Sequence, residues 1–255
     1  MKNEILTIAQ KYFSNEKNIV HYYGDAQNLL RIGQMLPFMV QSDYPDGYAI
    51  CDNDVLMLEH FEFDSSDCNK NGSQLRRAEA ADDRAFEKLE VINGEAKYVG
   101  SIEANLSTDN YRDNLIRAFA AHYNKIDSYK QSLVEKGVDL SGKKVTTCFF
   151  IEDTTLLGSI FESKSKDYSW EPLILPRCDF FLDLFEKSPK LDCAFCGSWY
   201  PSESCLWFID RSMIDDYREH QLITSEIHLI RMNPWSVGYK AIVPTGSIPE
   251  CWKHE

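Results

Sequence analysis

Positive charge is scarce in this sequence: 27 Lys and Arg stand against 40 Asp and Glu in 255 residues, a net charge of −13. Tight, non-specific binding of nucleic acid needs a basic surface to neutralise phosphates, so the composition argues against a protein of that kind. It leaves room for a local patch, and NKNGSQLRR, with Lys70, Arg76 and Arg77, is the best candidate, set against its reading as ordinary solvated charge. Long apolar runs are missing as well. None approaches the roughly 20 residues that span a bilayer, so no membrane association is expected. The opening MKNEILTIAQKYF spaces its apolar residues helically and lacks a signal-peptide core, which points to the cytoplasm. There is no glycine-rich phosphate loop, no Gly-x-Ser-x-Gly elbow and no His-Glu-x-x-His, which argues against P-loop nucleotide hydrolases, serine hydrolases and zincin proteases.

What is present suits a globular protein. Hydrophobic residues make up 44% and aromatics 13% of the chain, enough to fill a core. Eight cysteines in a chain of this length, with nothing that marks export, read as free thiols rather than as a disulfide framework. Cys148, inside VTTCFFI, reads as core. Cys193-Ala-Phe-Cys196 is half of a zinc site, and Cys205 with Cys178 or His220 could complete it. The second Cys-x₂-Cys pair is absent, and strand alternation would put Cys193 and Cys196 on opposite faces, so zinc is not expected.

Periodicity predicts helices over residues 3–14, after Asp25 up to Pro37, after Ser73, over 109–136 up to Gly137, over 178–186 and over 212–220. Strands are predicted near 47–51, 55–63, 98–104, 144–151, in DCAFCGSW and CLWFID, and over 226–232, with a polar loop over 65–72. No repeat or low-complexity linker interrupts the chain, so one α/β domain over 1–255 is expected.

The segment YPDGYAICDNDVLMLEHFEFD carries the chemistry. Pro45-Asp46 leads into a short strand, a turn follows at Asp52-Asn53-Asp54, and an apolar strand then carries Glu59 at its middle. Val55, Met57, Glu59, Phe61 and Phe63 share one face; Leu56, Leu58, His60, Glu62 and Asp64 share the other. A charge on the apolar face needs a partner. Either Glu59 pairs with a structural Arg or Lys, or it joins Asp46 on a divalent cation, since hard cations prefer oxygen ligands.

This segment resembles the PD-(D/E)xK superfamily, the restriction-endonuclease-like nucleases. In that pattern a Pro-Asp is followed by an acidic residue, any residue and a lysine on a buried strand. Pro45, Asp46 and Glu59 match; Phe61 stands where the lysine belongs. The resemblance implies a mixed sheet flanked by helices, with a nuclease-like core over 1–153 and a C-terminal extension of the same domain over 154–255. It implies Mg²⁺ or Mn²⁺ held by Asp46 and Glu59, hydrolysis of phosphodiester bonds, and nucleic acid as substrate. The missing cation would then come from elsewhere, Lys70 first, with Arg76 and Arg77 behind it. His60 points away from Glu59 and is a weak general base. Without a displaced cation the chain would be an inactive relative. The competing reading is a non-enzymatic acidic module, immunity- or antitoxin-like, that binds a basic protein partner.

Overall fold

The apolar and β-branched run from Val55 to Phe63 forms the longest strand of the main sheet together with its counterpart from Lys144 to Asp153, and the other elements are arranged around these two. The structure, a computed structural model, describes residues 20–69, 72–87, 95–104, 107–154, 161–162, 168–169, 174–199, 204–220, 228–229 and 235–244. In chain order these form β1 (Val20–His21), α1 (Gln27–Met35), β2 (Val40–Gln41), β3 (Gly47–Cys51), β4 (Asp54–Phe63), β5 (Cys68–Asn69), β6 (Gly72–Ser73), α2 (Gln74–Glu87), β7 (Glu95–Ala104), α3 (Thr108–Tyr123) and α4 (Ile126–Glu135). There follow β8 (Lys144–Asp153), β9 (Phe161–Glu162), β10 (Tyr168–Ser169), α5 (Asp179–Glu186), β11 (Cys193–Trp199), β12 (Ser204–Asp210), α6 (Ile214–Glu219), β13 (His228–Leu229) and β14 (Trp235–Pro244). The chain divides into two compact units, Met1–Asp64 with Arg112–Ile230, and Ser65–Tyr111 with Arg231–Glu255. Among the described residues no helix is long and apolar enough to cross a membrane.

The first unit is α/β, built on a seven-stranded mixed sheet in the order β1-β12-β11-β8-β4-β3-β2. β2, β3 and β4 form an antiparallel meander, with Asp52 at φ 50° in the turn between β3 and β4. Asp tolerates this left-handed conformation better than most residues. β8 then lies parallel to β4, β11 parallel to β8, and β12 antiparallel to β11. Parallel neighbours need crossover connections; α3 and α4 lie on the path from β4 to β8, and α5 on the path from β8 to β11. The C-terminal strands β11 and β12 thus extend the sheet that β3 and β4 begin.

Alternation distributes the side chains. Odd-numbered positions of β4 and β8 meet α3 and α4: Phe61 packs edge-on to Phe119 and Phe149, and Phe119, Ile126, Tyr129 and Leu133 are buried. Even-numbered positions meet α1, whose Arg31 donates to Asp54 Oδ1 at 2.7 Å and to Thr146 Oγ1 at 3.0 Å. Helices therefore cover both faces.

Two expectations are corrected. The single helix over 109–136 is two helices, broken at Asn124 and Lys125. Lys125 N–H bonds His122 O, three residues back, instead of the fourth, which tightens the turn; the apolar spacing runs through the break, so periodicity does not reveal it. Gly137 ends α4 as expected, at φ +86°, with Val138 N–H on Leu133 O and Gly137 N–H on Val134 O. The polar stretch expected as loop over 65–72 contains β5, which pairs with β6 in the second unit; Gly72, at φ +96°, takes a backbone conformation that other residues resist.

The rest of the second unit holds α2 and the antiparallel pair β7–β14, in register from Glu95↔Pro244 to Ala104↔Trp235. Ser73 Oγ accepts from Arg76 N–H at 3.1 Å and so caps α2. The helix predicted over 3–14 lies outside the described residues, and of the strand over 226–232 only β13 is described.

Candidate functional site

Asp46 directly precedes β3, and Gly47 is in register with Leu58, so the ladder continued by one residue sets Asp46 beside Glu59. Two bonds tie them. Asp46 N–H donates to Glu59 Oε2 at 3.3 Å, and His60 N–H donates to Asp46 Oδ2 at 2.7 Å. Glu59 is 6% exposed, so its carboxylate depends on protein donors rather than on water. The second oxygen has two contacts: Tyr129 O–H donates to Oε1 at 2.6 Å, and His122 Nδ1 lies 2.8 Å from it. An ionised carboxylate only accepts, so His122 carries a proton on Nδ1 when it bonds Glu59. Burial, and then the Glu59 carboxylate at its hydroxyl, hold Tyr129 well above the ordinary tyrosine range. Tyr129 is therefore a neutral donor at any ordinary pH.

Phe61, at the position of the missing lysine, is buried and stacks on the His122 ring at 4.8 Å and 15°. An imidazole thus reaches that position from α3. Helical spacing puts Tyr129 on the apolar face of the run over 109–136 and does not single out His122. The available signal was their spacing of seven, which sets both on one side of a helical run whose other inward positions are apolar. Lys70 lies outside the described residues. Arg76 and Arg77 are in the second unit, where Arg77 Nε donates to Ser73 O at 3.2 Å.

His60 faces away from Glu59, as alternation requires, with Nε2 3.3 Å from Glu152 Oε2 on β8. With Glu62 these make a group of three whose ligand atoms all lie within 4.8 Å of one another. Glu152 carries no sequence motif; only the in-register pairing of β4 with β8 places it there.

The cysteines form no such group among the described residues. Cys193 and Cys196, three apart on β11, project to opposite faces. Burial raises both thiols, and Cys178, above their usual value. Cys205 is on β12, in register with Ser198. His220 stacks on Tyr23 at 4.0 Å, and its Nδ1 meets Asp216 O at 2.8 Å. Comparison of the chain with protein-family models, with curated proteins and with solved structures finds no match.

Proposed function

We propose that this protein is a divalent-metal-dependent, nuclease-like phosphodiesterase of low activity. The observation that carries the reading is that Asp46 and Glu59 lie side by side at the β3–β4 hairpin, with Asp46 N–H on Glu59 Oε2. The order α1, β2–β4, α3–α4, β8 within the first unit, with β5, β6, α2 and β7 read as an insertion, resembles the helix, strands, helix, strand order of the restriction-endonuclease-like core and supports it. The donor set fits a hard cation: two carboxylates offer oxygen ligands suited to Mg²⁺ or Mn²⁺. Glu59 Oε1 is committed to Tyr129 and His122, whereas Oε2 carries one long bond and can turn it over to an ion. Such a metal would polarise a phosphate and activate water.

The chain's own groups set the remaining chemistry. Tyr129 and His122 fix the Glu59 carboxylate, and His60 N–H fixes Asp46. His122, lying over Phe61, sets an imidazole beside the site. The resemblance leaves the role of displaced cation to Lys70, whose charge would act on the transition state. Phe61 itself supplies none, which is why the activity is low. Nucleic acid is the substrate by resemblance.

The test is cleavage of single-stranded and duplex DNA with Mn²⁺ by wild type, Asp46→Ala and Asp46→Asn. The last keeps an acceptor for His60 N–H, so a loss there is not a loss of folding. Wild type is expected to cleave slowly and both variants not at all; equal residual cleavage by all three means contamination and ends the reading. Lys70→Ala is expected to lower kcat by about tenfold or more while leaving Mn²⁺ affinity within about threefold, because its charge acts on the transition state rather than on the metal.

One observation favours the alternative. Three donors already satisfy Glu59, which suits a carboxylate that holds the fold together. The chain would then be an inactive scaffold whose acidic surface meets a basic protein partner, and equal residual cleavage would direct the search there.

A further inference from the structure

β4 and β8 are parallel neighbours in register, Glu62 beside Glu152 and His60 beside Phe150. His60, Glu62 and Glu152 therefore project from one face of the sheet, the face opposite Glu59. The His60 and Glu152 side chains are 3% and 5% exposed and 3.3 Å apart, while Glu62 is half-buried. Each offers one ligand atom, and the three atoms lie close enough together to share one divalent cation. The geometry points to a second, mononuclear metal site formed by His60, Glu62 and Glu152, separate from the Asp46–Glu59 pair.

The donor types select the ion. One imidazole nitrogen and two carboxylate oxygens suit Zn²⁺, Mn²⁺, Fe²⁺ or Co²⁺, whereas Mg²⁺ and Ca²⁺ prefer an all-oxygen shell. The three ligand atoms lie within 4.8 Å of one another, a separation that small adjustments of the side chains can bring to one ion. Three protein ligands leave a coordination position for water. Half-buried Glu62 gives the ion its way in. Because the ligands come from two neighbouring strands of the main sheet, the ion would clamp β4 to β8. The site does not rest on the nuclease reading.

The experiment uses Co²⁺ and Zn²⁺ alone, on full-length protein carrying Asp46→Asn, so that the other carboxylate pair contributes little. Metal content after dialysis and the visible absorption of bound Co²⁺ report occupancy and ligand field. One equivalent is expected, with a melting temperature raised by about 5 °C at saturating metal. Glu152→Gln and Glu62→Gln are each expected to weaken binding by about tenfold or more and to abolish the thermal shift. Glu62→Gln, at a half-buried position, keeps the test open if Glu152→Gln fails to fold. Absence of bound Co²⁺, or unchanged affinity in Glu62→Gln, overturns the site. Either result leaves the cleavage comparison of wild type with Asp46→Ala untouched.

Discussion

Glu59 is a buried carboxylate with three protein donors, and its partners are accordingly costly to remove. Tyr129→Phe deletes a 2.6 Å bond to that carboxylate and should destabilise the protein by about 1.5–3 kcal/mol, read as a lower urea midpoint with an unchanged slope. The tyrosines also set a base limit. Burial first, and in Tyr129 then the Glu59 carboxylate, hold Tyr129 and Tyr217 far above the unfolded value of 10.0. The unfolded chain therefore loses these protons first. The stability they contribute is complete below that value and is lost as pH rises beyond it, by about 1.4 kcal/mol per pH unit for each tyrosine. Urea unfolding between pH 8 and about 11.5 should show the fall, and Tyr129→Phe should show a shallower one; a flat wild-type profile would contradict the burial of both rings. The thiols divide in the same way. Cys178, Cys193 and Cys196 are buried and raised, Cys68 is exposed, so brief alkylation of native protein followed by peptide mass analysis should label Cys68 and spare the other three.

At the scale of elements, the hairpin of β3 and β4 is legible in the sequence because a short turn separates two apolar runs, and that turn length alone pairs residue 46 with residue 59. The cap at Ser73 and the stop at Gly137 are legible for equally local reasons. What sequence does not carry is whatever depends on strands far apart in the chain. Glu152 meets His60 only through the parallel β4–β8 register, and His122 and Tyr129 reach Glu59 only because their helices pack on the odd face of β4. The break between α3 and α4 is hidden for a different reason: both helices keep the same inward spacing. Gly137→Ala should cost about 1–2 kcal/mol, since its φ of +86° is left-handed. Amide exchange should be slowest in β4 and β8, which have neighbours on both edges, and fast in β1 and β2, the ends of the sheet. Equal protection across all seven strands would contradict this order.

For the whole molecule, a net charge of −13 means that the phosphodiester substrate we propose would approach against the average field. On the proposed reading, cations close to Asp46 and Glu59 would decide whether a phosphate can bind, and the metal, rather than the protein surface, would be the main electrostatic attraction. The most direct test of that claim is Mn²⁺ binding followed by loss of the electron paramagnetic resonance signal of the free aqua ion. The comparison sets wild type beside Asp46→Asn, both carrying Glu152→Gln to silence the opposite face. The account predicts that the protein with Asp46 intact takes up one Mn²⁺ weakly and that Asp46→Asn takes up none. Equal uptake by the two proteins, or none by either, would contradict it.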